Sequence, residues 1–554
     1  MFVTLKWVSA LEKVFLDTEP ASYPDIALTG FQNEMLSLQA AWSLTSMEDK
    51  EWDHRPRVKI SIDCDVPVRM RRVTQVPVRF PCFPEHDGGY LRTTPGLFPD
   101  LLEDITEKTH LRAYKDIWSA VWLDIQPTGD TLPGKKTLTL TMKDMEGKVL
   151  AQQEFHFEIL PGLLPQQEII HARWLHADCL AQYYNVPVFS DQHFAILERF
   201  IRHAVQRGIN MILVPTHTPP LDTSVGGERL TTQLVQVKVD NGQYAFDFSL
   251  LRRYIDICQR AGVQYYEIAH LFTQWGAHFA PKIVATVDGC EQRIFGWDTE
   301  ATGAAYHAFL DAYLPALTQE LKNLGIADQT YFHISDEPSA AHIDQYLAVK
   351  AMVTPHLKGF KIIDALSDIK FFESGAVPLP IPATNHIEPF LQADIKERWT
   401  YYCISQHWKV SNTFLAMPSA RTRIIGTQMY RYGITGFLQW AYNFYNSQYS
   451  DTVINPFLVT DSDGFAPAGD TFQVYPGPGG VPQDSLRMML FFHALQDNRA
   501  LRWAEQLAGK DQVESVVAAG LDAPPTWTEY PMDGEYLLAM RTRLNRLIAD
   551  KQKL

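Results

Sequence analysis

From about residue 170 onward, short apolar segments alternate with long amphipathic ones, and this rhythm constrains the fold more than any other feature of the chain. A short apolar run followed by a segment with helical periodicity predicts a βα unit, and repeated βα units imply a parallel sheet. Eight segments fit the strand pattern: 172–176, 210–215, 264–269, 330–335, 361–366, 381–386, 400–405 and 434–440. Eight such units close most simply into a (β/α)8 TIM-type barrel. A doubly wound open sheet is the alternative, but no glycine-rich phosphate loop follows the first strand.

The segments between these strands carry apolar residues at three- and four-residue spacing, which predicts amphipathic helices. The predicted helices are 191–208, 249–262, 305–325 and 340–353, with a closing helix at 485–509. Three of them end on a glycine just before the next strand, as helix C-caps commonly do. The connections after the fifth and sixth strands are too short for full helices, which predicts an irregular barrel there.

Residues 1 to about 165 differ, because apolar and polar residues alternate there with a period of two. The alternating segments are 57–70, 74–83, 119–127, 136–145 and 151–160, and several are separated by Gly, Pro or Asp turns. Two packed antiparallel sheets are the natural architecture. We therefore predict an N-terminal antiparallel β-sandwich over 1–165, a (β/α)8 catalytic barrel over 166–509 and a C-terminal helical extension over 510–554.

Charge and cysteine usage narrow the partners and the compartment. The formal net charge is −15 and no basic run occurs, which argues against a nucleic-acid partner. The six cysteines form no CxxC pair, as expected for reduced thiols. The N-terminus does not resemble a signal peptide, and no apolar stretch is long enough to span a membrane. These features predict a cytoplasmic protein without a membrane partner, and they leave open whether it forms homo-oligomers.

Polar residues and tryptophans follow nearly every predicted strand. In a barrel of this type the chemistry gathers at the carboxyl ends of the strands. The candidates are His176, Asp178, His217, Asp222, Trp275, Asn385, His407, Trp440 and Asn443. Such a set predicts a pocket for a ligand rich in hydroxyl groups, although each tryptophan could equally be core.

Asp336 and Glu337, in the segment HISDEP (333–338), are the sharpest local signal. Cleavage of a glycosidic bond needs an acid for the leaving oxygen and a second group that stabilises the oxocarbenium-like centre. Two neighbouring carboxylates also raise one of their two pKa values, which favours an acid at neutral pH. The competing interpretation is a helix N-cap with acidic residues in its first turn.

Metal and serine chemistry have little support in the sequence. His176 with Asp178, or His217 with Asp222, could hold a metal ion, but their spacing matches no known metal signature. No GxSxG elbow occurs. We therefore predict no metal and no cofactor.

Six segments together resemble a known family: WLHADCLAQYY (174–184), LVPTHTPPLDT (213–223), LFTQWGAHFAPKI (271–283), HISDEP (333–338), GFLQWAYNFY (436–445) and GDTFQVYPG (469–477). They are similar to the proteins grouped as domain of unknown function 4091, which are allied to glycoside hydrolase family 123, the β-N-acetylgalactosaminidases. The resemblance covers about 170–505, and the β-rich N-terminal part suits the sandwich of that family.

The resemblance implies a retaining exo-glycosidase that removes terminal β-linked N-acetylgalactosamine from an oligosaccharide or glycoside. Asp336 would orient the 2-acetamido group of the substrate, whose carbonyl oxygen attacks the anomeric carbon to give an oxazolinium. Glu337 would protonate the leaving group and then activate water. The resemblance adds Tyr475 and Asp470 to the pocket candidates, although Asp470 could instead cap its loop.

Two other functions stay open. One is a carbohydrate-binding protein without turnover, against which the intact Asp336–Glu337 pair counts. The other is a glycosidase with a different sugar specificity and a conventional nucleophile, for which Asp178, Asp222 and Glu267 are candidates. The sequence leaves undetermined the choice between GalNAc and GlcNAc, the linkage and the aglycone.

Overall fold

Two sheets lie face to face in the N-terminal part of the chain. The computed structural model describes residues 2–46 and 57–552. The N-terminal strands are β1 (Phe2–Ser9), β2 (Leu28–Phe31), β3 (Leu36–Ser46), β4 (Arg57–Asp63), β5 (Val68–Val78), β6 (Gly96–Asp104), β7 (Leu111–Arg112), β8 (Ser119–Ile125), β9 (Gly134–Lys143) and β10 (Val149–Leu160). One sheet has the order β1-β3-β8-β5-β6 and the other β2-β10-β9-β4-β7. Neighbouring strands are antiparallel, except that β2 runs parallel to β10.

The period-two alternation of these strands explains why the sheets pack together. Leu38 and Leu123 of the first sheet lie in one apolar cluster with Leu140 and Phe157 of the second. Burying each such side chain contributes roughly 1.5–3 kcal/mol, so a cluster of this size holds the two sheets together.

The predicted strands 119–127, 136–145 and 151–160 correspond to β8, β9 and β10. The predicted segment 57–70 contains parts of two strands, because β4 ends at Asp63 and β5 begins at Val68 in the opposite sheet. Alternation continues through this change of sheet, so the pattern alone does not reveal it. Segment 74–83 holds only the end of β5, which stops at Val78. Strands β1, β2, β3, β6 and β7 were not predicted.

Eight parallel strands form the central sheet of the part of the chain that follows. The strands here are β11 (Ile170–Arg173), β12 (Met211–Val214), β13 (Gln236–Asp240), β14 (Gln243–Asp247), β15 (Tyr265–Ile268), β16 (Ile283–Val287), β17 (Cys290–Phe295), β18 (Thr330–Phe332), β19 (Lys361–Leu366), β20 (Leu379–Pro382), β21 (Trp399–Tyr401), β22 (Gly436–Gln439), β23 (Val474–Pro476) and β24 (Pro482–Asp484). The order of the eight is β20-β19-β18-β15-β12-β11-β22-β21. A parallel bridge between Ala383 and Tyr401 joins the two outer strands, so the sheet curls into a near-barrel.

The helices that cover the near-barrel are α1 (Ala177–Tyr183), α2 (Asp191–Gln206), α3 (Ser249–Ala261), α4 (Ala304–Asn323), α5 (Ile343–Val353), α6 (Lys370–Glu373), α7 (Glu388–Gln392), α8 (Ser419–Arg423), α9 (Ile425–Arg431), α10 (Leu486–Ala508), α11 (Lys510–Ala518) and α12 (Gly534–Lys551). Each of the eight predicted strand segments overlaps one parallel strand. The expected irregularity is present, because α6 and α7 have only 4 and 5 residues. An unpredicted small sheet, β14-β13-β16-β17, is inserted on the chain between β12 and α4.

Side chains of the central strands alternate between the interior of the near-barrel and its helical layer. Tyr331 of β18 belongs to the interior cluster, together with Leu213 and Ile363. Its neighbour Phe332 packs into the outer cluster with the helices. This alternation decides which residues at the strand ends can face the interior.

The C-terminal helices connect the two parts of the molecule. Leu537 and Leu544 of α12 pack with Leu501 of α10 and with Phe31 of the first part in one cluster. Within residues 2–46 and 57–552, no helix has the length and apolar character needed to cross a bilayer. The predicted boundaries at 165 and 509 stay predictions.

Candidate active site

The Asp336–Glu337 pair lies in a bend just beyond the end of β18. Glu337 has a φ of 44°, in the left-handed region that non-glycine residues seldom adopt. In an extended chain, consecutive side chains point to opposite sides. Here the bend lets both carboxylates line one pocket. The backbone is held by hydrogen bonds from the Glu337 N–H to the Ala365 carbonyl (3.2 Å) and from the Trp275 N–H to the Asp336 carbonyl (2.9 Å).

The helix-cap interpretation of this pair is wrong. The next α-helix, α5, begins at Ile343 after a short 3-10 turn, and Ser339 stands at the start of that turn. Neither cap position makes a side-chain capping bond. The two carboxylates are therefore not placed to complement a helix terminus.

The pocket is enclosed by polar groups on one part of its wall and by rings and aliphatic side chains on the rest. It holds about 590 Å³ of space free of protein atoms, counted to its open mouth. Its lining residues are Trp174, Leu221, Asp222, Gln274, Trp275, Asp336, Glu337, Ala365, Tyr401, Cys403, Ile404, Leu438, Trp440 and Phe465. An apolar wall with a few convergent polar groups is typical of a small-molecule site.

Three residues of the pocket lining have backbone conformations that non-glycine residues seldom adopt. Besides Glu337, the lining residues Asp222 and Trp275 have positive φ values, 40° and 59°. Such conformations each cost about 1–3 kcal/mol and persist only where the surroundings impose them. Their presence around one pocket is typical of a functional site.

Glu337 separates two openings. It lines the pocket and also a wider cleft bounded by Ser367, Asp368, Asn385, His386, Ser405 and Gln406. The Tyr401 hydroxyl donates a hydrogen bond to Glu337 Oε1 at 2.6 Å, and Cys403 Sγ lies 4.0 Å from the same oxygen. Burial raises the pKa of the Glu337 carboxyl, while the bond from Tyr401 opposes that rise.

The carboxylate of Asp336 receives no hydrogen bond from any side chain or backbone group in the described ranges. Burial raises the pKa of Asp336 well above its ordinary value, and the neighbouring charge of Glu337 adds to the rise. Like charges this close are not both ionised readily, so the pair retains one proton over a range of pH. Over that range of pH the pair therefore offers one protonated carboxyl group and one ionised carboxylate side by side.

A hydrogen-bonded network lies beneath the pocket. The Trp174 indole N–H donates to Glu267 Oε1 at 2.7 Å, and the same oxygen contacts His333 Nε2. His333 Nδ1 lies 3.1 Å from Asp364 Oδ1, and the Tyr346 hydroxyl also donates to Asp364. Burial alone would lower the pKa of His333, but Glu267 and Asp364 together raise it to about 10.

His270, His333 and Asp364 bring donor atoms within 4.8 Å of one another, the described group with the spacing of a metal site. Both ring nitrogens of His333 are already engaged by carboxylates. The rings of His270 and His333 are stacked, with centroids 4.2 Å apart and planes 27° apart. A metal ion at this group would therefore have to displace a carboxylate from His333.

Comparison with known proteins identifies the family. A family model described as glycoside hydrolase 123, catalytic domain, matches residues 174–504, which is more than half of the chain. The chain belongs to glycoside hydrolase family 123. It is accordingly a glycoside hydrolase. No curated protein sequence matches it.

Solved structures agree at the level of fold. A family 123 glycoside hydrolase from Clostridium perfringens, described in work on glycolipid glycan hydrolysis, superposes with a TM-score of 0.74 at 14% identity, covering 100% of this chain and 98% of that one. A family 5 mannosidase from Rhizomucor miehei covers 63% of this chain and 95% of its own at 10% identity, with a TM-score of 0.35 that is too low to support an argument.

Three of the predicted sugar-contact residues line the pocket of this family 123 enzyme: Asp222, Trp275 and Trp440. A fourth, Asn385, lines the adjoining cleft and accepts a hydrogen bond from the Gln406 side chain at 2.9 Å. Asp222 accepts a hydrogen bond from the Tyr449 N–H at 3.1 Å. Burial raises the pKa of Asp222 to about 6.

The other predicted contact residues do not line the pocket. They are His176, Asp178, His217, His407, Asn443, Asp470 and Tyr475. Arg229 binds Asp178 through two nitrogens, both at 2.9 Å, and approaches His176 Nδ1 at 3.2 Å. The Asn443 side chain accepts a hydrogen bond from the His176 N–H and donates one to the His176 carbonyl. These buried groups support Trp440, whose backbone carbonyl lies 3.0 Å from His176 Nε2.

The other four predicted contact residues contact different parts of the molecule. They are Asp470, Tyr475, His217 and His407. Asp470 accepts the indole N–H of Trp440 at 2.8 Å, which orients that ring. Tyr475 donates to Asp100 of β6 at 2.7 Å. His217 Nε2 lies 2.8 Å from the carbonyl of His270, and the ring of His407 packs on Phe83.

Sequence reasoning missed several lining residues, chiefly Trp174, Tyr401 and Cys403. Tyr401 ends β21, and Cys403 lies two positions further along the same side. The period of two in TYYCIS could have selected these two residues over Tyr402, which is buried in another cluster.

Proposed function

We propose that this family 123 enzyme is a retaining exo-glycosidase that removes terminal β-linked N-acetylgalactosamine by substrate-assisted catalysis. The observation that carries the proposal is that both adjacent carboxylates line one pocket, while Glu337 alone also borders the neighbouring cleft. The sugar occupies the pocket and the leaving group occupies the cleft. The glycosidic oxygen between them then lies at Glu337.

In the first step, the acetamido carbonyl oxygen of the substrate attacks the anomeric carbon. The glycosidic C–O bond breaks, its electron pair passes to the leaving oxygen, and Glu337 supplies the proton. Asp336, as the carboxylate, accepts the amide N–H and stabilises the positive charge of the oxazolinium. An internal nucleophile needs no enzymic nucleophile across the sugar, so two carboxylates adjacent in sequence suffice.

In the second step, Glu337 is the base. Water attacks the anomeric carbon from the cleft side and gives its proton to Glu337, while the oxazolinium C–O bond reopens to the acetamido group. Tyr401 donates to one oxygen of Glu337, which leaves the other oxygen to exchange the proton. General acid–base catalysis of this kind contributes typically 10²–10⁴-fold.

The apolar part of the pocket suits the rest of the sugar. Trp174, Trp275 and Trp440 offer ring surfaces that can stack on the faces of a pyranose. Ala365 and Leu438 offer a small apolar surface for the acetamido methyl group. Asp222 and Gln274 are the polar groups that can accept or donate hydrogen bonds to sugar hydroxyls.

A conventional nucleophile is the second candidate mechanism, and one observation favours it. Of its three candidates, Asp178 is paired with Arg229 and Glu267 lies in the network beneath the pocket, but Asp222 lines the pocket. Asp222 would then form a covalent glycosyl intermediate. A binding protein without turnover has less support, because it needs no acid beside its ligand.

The deciding experiment is hydrolysis of p-nitrophenyl β-GalNAc, β-GlcNAc and β-Gal by the wild type, Asp336→Asn and Asp222→Asn. We expect release from β-GalNAc but not from β-Gal, and loss of that release in Asp336→Asn. Equal release from β-Gal would overturn acetamido assistance. Loss in Asp222→Asn with retention in Asp336→Asn would establish the conventional nucleophile instead.

Two further expectations belong to the same proposal. We propose that the near-barrel is a (β/α)8 barrel of the TIM type, with α6 and α7 shortened. We also propose that the enzyme acts on small glycosides in the cytoplasm. The six unpaired cysteines suit a reducing compartment.

A further inference from the structure

A buried chain of side chains runs beneath Asp336, and the mechanism above makes no use of it. It leads from Trp174 on the pocket floor through Glu267, His333 and Asp364 to Tyr346 on α5. The side chains of Glu267, His333 and Asp364 have no exposed surface. Buried charges are costly unless they are paired, so the charges in this chain need a reason.

The hydrogen-bond geometry around His333 indicates the charge of its ring. Both nitrogens of His333 face a carboxylate oxygen, so both carry a proton and the ring is an imidazolium. Trp174 donates to Glu267, and the Tyr346 hydroxyl and the Ile334 N–H donate to Asp364, so each carboxylate accepts further hydrogen bonds besides its contact with His333. Burial lowers the pKa of the stacked His270 well below its usual value, so that ring is neutral.

Asp336 is surrounded mainly by groups of its own sign. Glu337, Asp364 and Glu267 each disfavour its ionisation, whereas His333 favours it. The described lining of the pocket contains no lysine and no arginine. Burial disfavours the Asp336 carboxylate further, and a bound sugar removes the remaining water. His333 lies three residues before Asp336 in the chain, and it is joined through Glu267 to Trp174, which lines the same pocket as Asp336. It is therefore a positive group close to the pocket that Asp336 lines.

We infer that His333, clamped between Glu267 and Asp364, is a positioning residue that supplies the positive charge keeping Asp336 ionised when a sugar fills the pocket. The inference rests on the proposed function in one respect, since it takes Asp336 as the carboxylate that meets the acetamido N–H. Glu267 and Asp364 hold the imidazolium in place. Trp174 couples the same clamp to the floor of the sugar pocket.

The test is the pH dependence of kcat/KM on p-nitrophenyl β-GalNAc for His333→Gln, Glu267→Gln and the double variant. In the wild type the acidic limb reports ionisation of Asp336. Glutamine at 333 removes the positive charge, so the acidic limb is expected to move up by about one pH unit or more. Glu267→Gln removes a negative charge and is expected to move the limb down.

The double variant removes one charge of each sign, so its acidic limb is expected to lie near that of the wild type. It also lowers the risk of a folding defect, because removing Glu267 together with His333 leaves Asp364 as the one carboxylate of the clamp that loses the imidazolium. If His333→Gln alone does not fold, the double variant is compared with Glu267→Gln, from which it differs only at His333. The double variant is expected to have the higher limb. The inference would be overturned if the acidic limbs of these two variants coincided. It would also be overturned if kcat/KM fell by the same factor at every pH.

A readout without turnover separates this inference from the proposed function. The infrared C=O band of protonated Asp336, identified by its absence in Asp336→Asn, is titrated in the wild type and in the His333 variants. A higher titration midpoint in His333→Gln supports the inference even if the preferred sugar is not β-GalNAc. An unchanged midpoint overturns it, even if wild-type hydrolysis of β-GalNAc depends on Asp336 as proposed.

Discussion

Two regions of this enzyme hold carboxylates away from bulk water and treat them in opposite ways: Asp484 is fully buried at an internal junction, and Asp336 is half-buried in the pocket wall. Where β24 meets the N-terminal sheets, Asp484 is bonded by Arg207 at 2.7 and 2.9 Å and is also paired with Arg71 and His203. Burial alone would raise the pKa of Asp484, but Arg207, His203 and Arg71 hold it well below its usual value. In the pocket, Asp336 has no such partner, and burial raises its pKa instead.

The difference shows that the junction around Asp484 serves stability, whereas the pocket around Asp336 serves chemistry. A buried carboxylate matched by arginines is a fixed anion that cannot exchange a proton near neutral pH. Two adjacent carboxylates without an arginine or lysine partner retain one proton between them, which in the proposed mechanism Glu337 holds and gives away. Arg71 and Arg207 lie at the junction with Asp484, whereas the described lining of the pocket contains no lysine and no arginine, and the imidazolium of His333 lies behind it.

The largest contrast is expected for Glu337→Gln. This substitution keeps the shape and the bond from Tyr401 but removes the acid, so kcat/KM should fall by about 10²–10⁴-fold. The free energy of unfolding should not fall, because no cation loses its partner. Hydrolysis of p-nitrophenyl β-GalNAc and urea denaturation measure the two quantities. Retained turnover would mean that another group is the acid.

At the junction, Asp484→Asn should have the opposite profile. It leaves Arg207 without its ion-pair partner and Arg71 with Asp124 alone, so the free energy of unfolding should fall by about 3–5 kcal/mol. Activity per folded molecule should persist. Asp104→Asn is the matched control, since its 2.6 Å pair with Arg69 is exposed and contributes at most about 1 kcal/mol. Equal losses in both variants would contradict the contrast.

The pH dependence of stability should separate the same two regions. Because the pKa of Asp336 is raised in the folded protein, ionising it opposes folding, and stability falls as pH rises from the unfolded value through the folded one. Asp336→Asn should therefore gain stability relative to the wild type above about pH 4, by about 1.4 kcal/mol for each unit of the shift.

The sign reverses for Asp484, whose pKa is lowered. Its contribution is present above about pH 4, the unfolded value, and is lost as the pH falls toward the folded value. Denaturation curves between pH 3 and about 8 for both asparagine variants provide the comparison. If stability changed with pH in the same way in both variants, the folded protein would not shift the pKa values of the two carboxylates in opposite directions.

The smallest effect is expected for Tyr401→Phe. Without the 2.6 Å bond, the ionised form of Glu337 loses a donor, so the pKa of Glu337 should rise and the basic limb of kcat/KM should move to higher pH. Activity at neutral pH should fall by about tenfold, as expected for the loss of a hydrogen bond to a charged group. Tyr402→Phe, on the neighbouring buried tyrosine, is the control. A basic limb that stays in place would exclude a role for Tyr401 in setting the acid.

The local sequence pattern was sufficient to predict the parallel strands of the near-barrel, but it was insufficient to predict many of the other strands. Each of the eight predicted strands overlaps a strand of the near-barrel, because an apolar run between two amphipathic helices has one simple meaning. The inserted sheet β14-β13-β16-β17 and the N-terminal strands β1, β2, β3, β6 and β7 escaped prediction. Strand pairing there joins residues distant in sequence, such as Phe2 with Ser46 and Val237 with Ala285.

At the strand ends, the sequence identified the right edge of the sheet but not the direction of each side chain. Trp275 and Trp440 line the pocket, whereas His176 and Asn443, from the same edge, lie behind its wall. One residue of register moves a side chain from one face to the other, and register depends on neighbouring strands. Tyr401 and Trp174 were overlooked for the same reason.

The sequence by itself determined the repeated βα rhythm, the family motifs and the adjacent Asp336–Glu337 pair, because these depend on short-range order along the chain. Tertiary structure alone decided that both carboxylates face one pocket, that Tyr401 contacts Glu337, and that His333 lies between Glu267 and Asp364. The physical reason is that a proton's affinity for a carboxylate depends on burial and on nearby charges. Those charges come from strands far apart in the chain, and only folding brings them together.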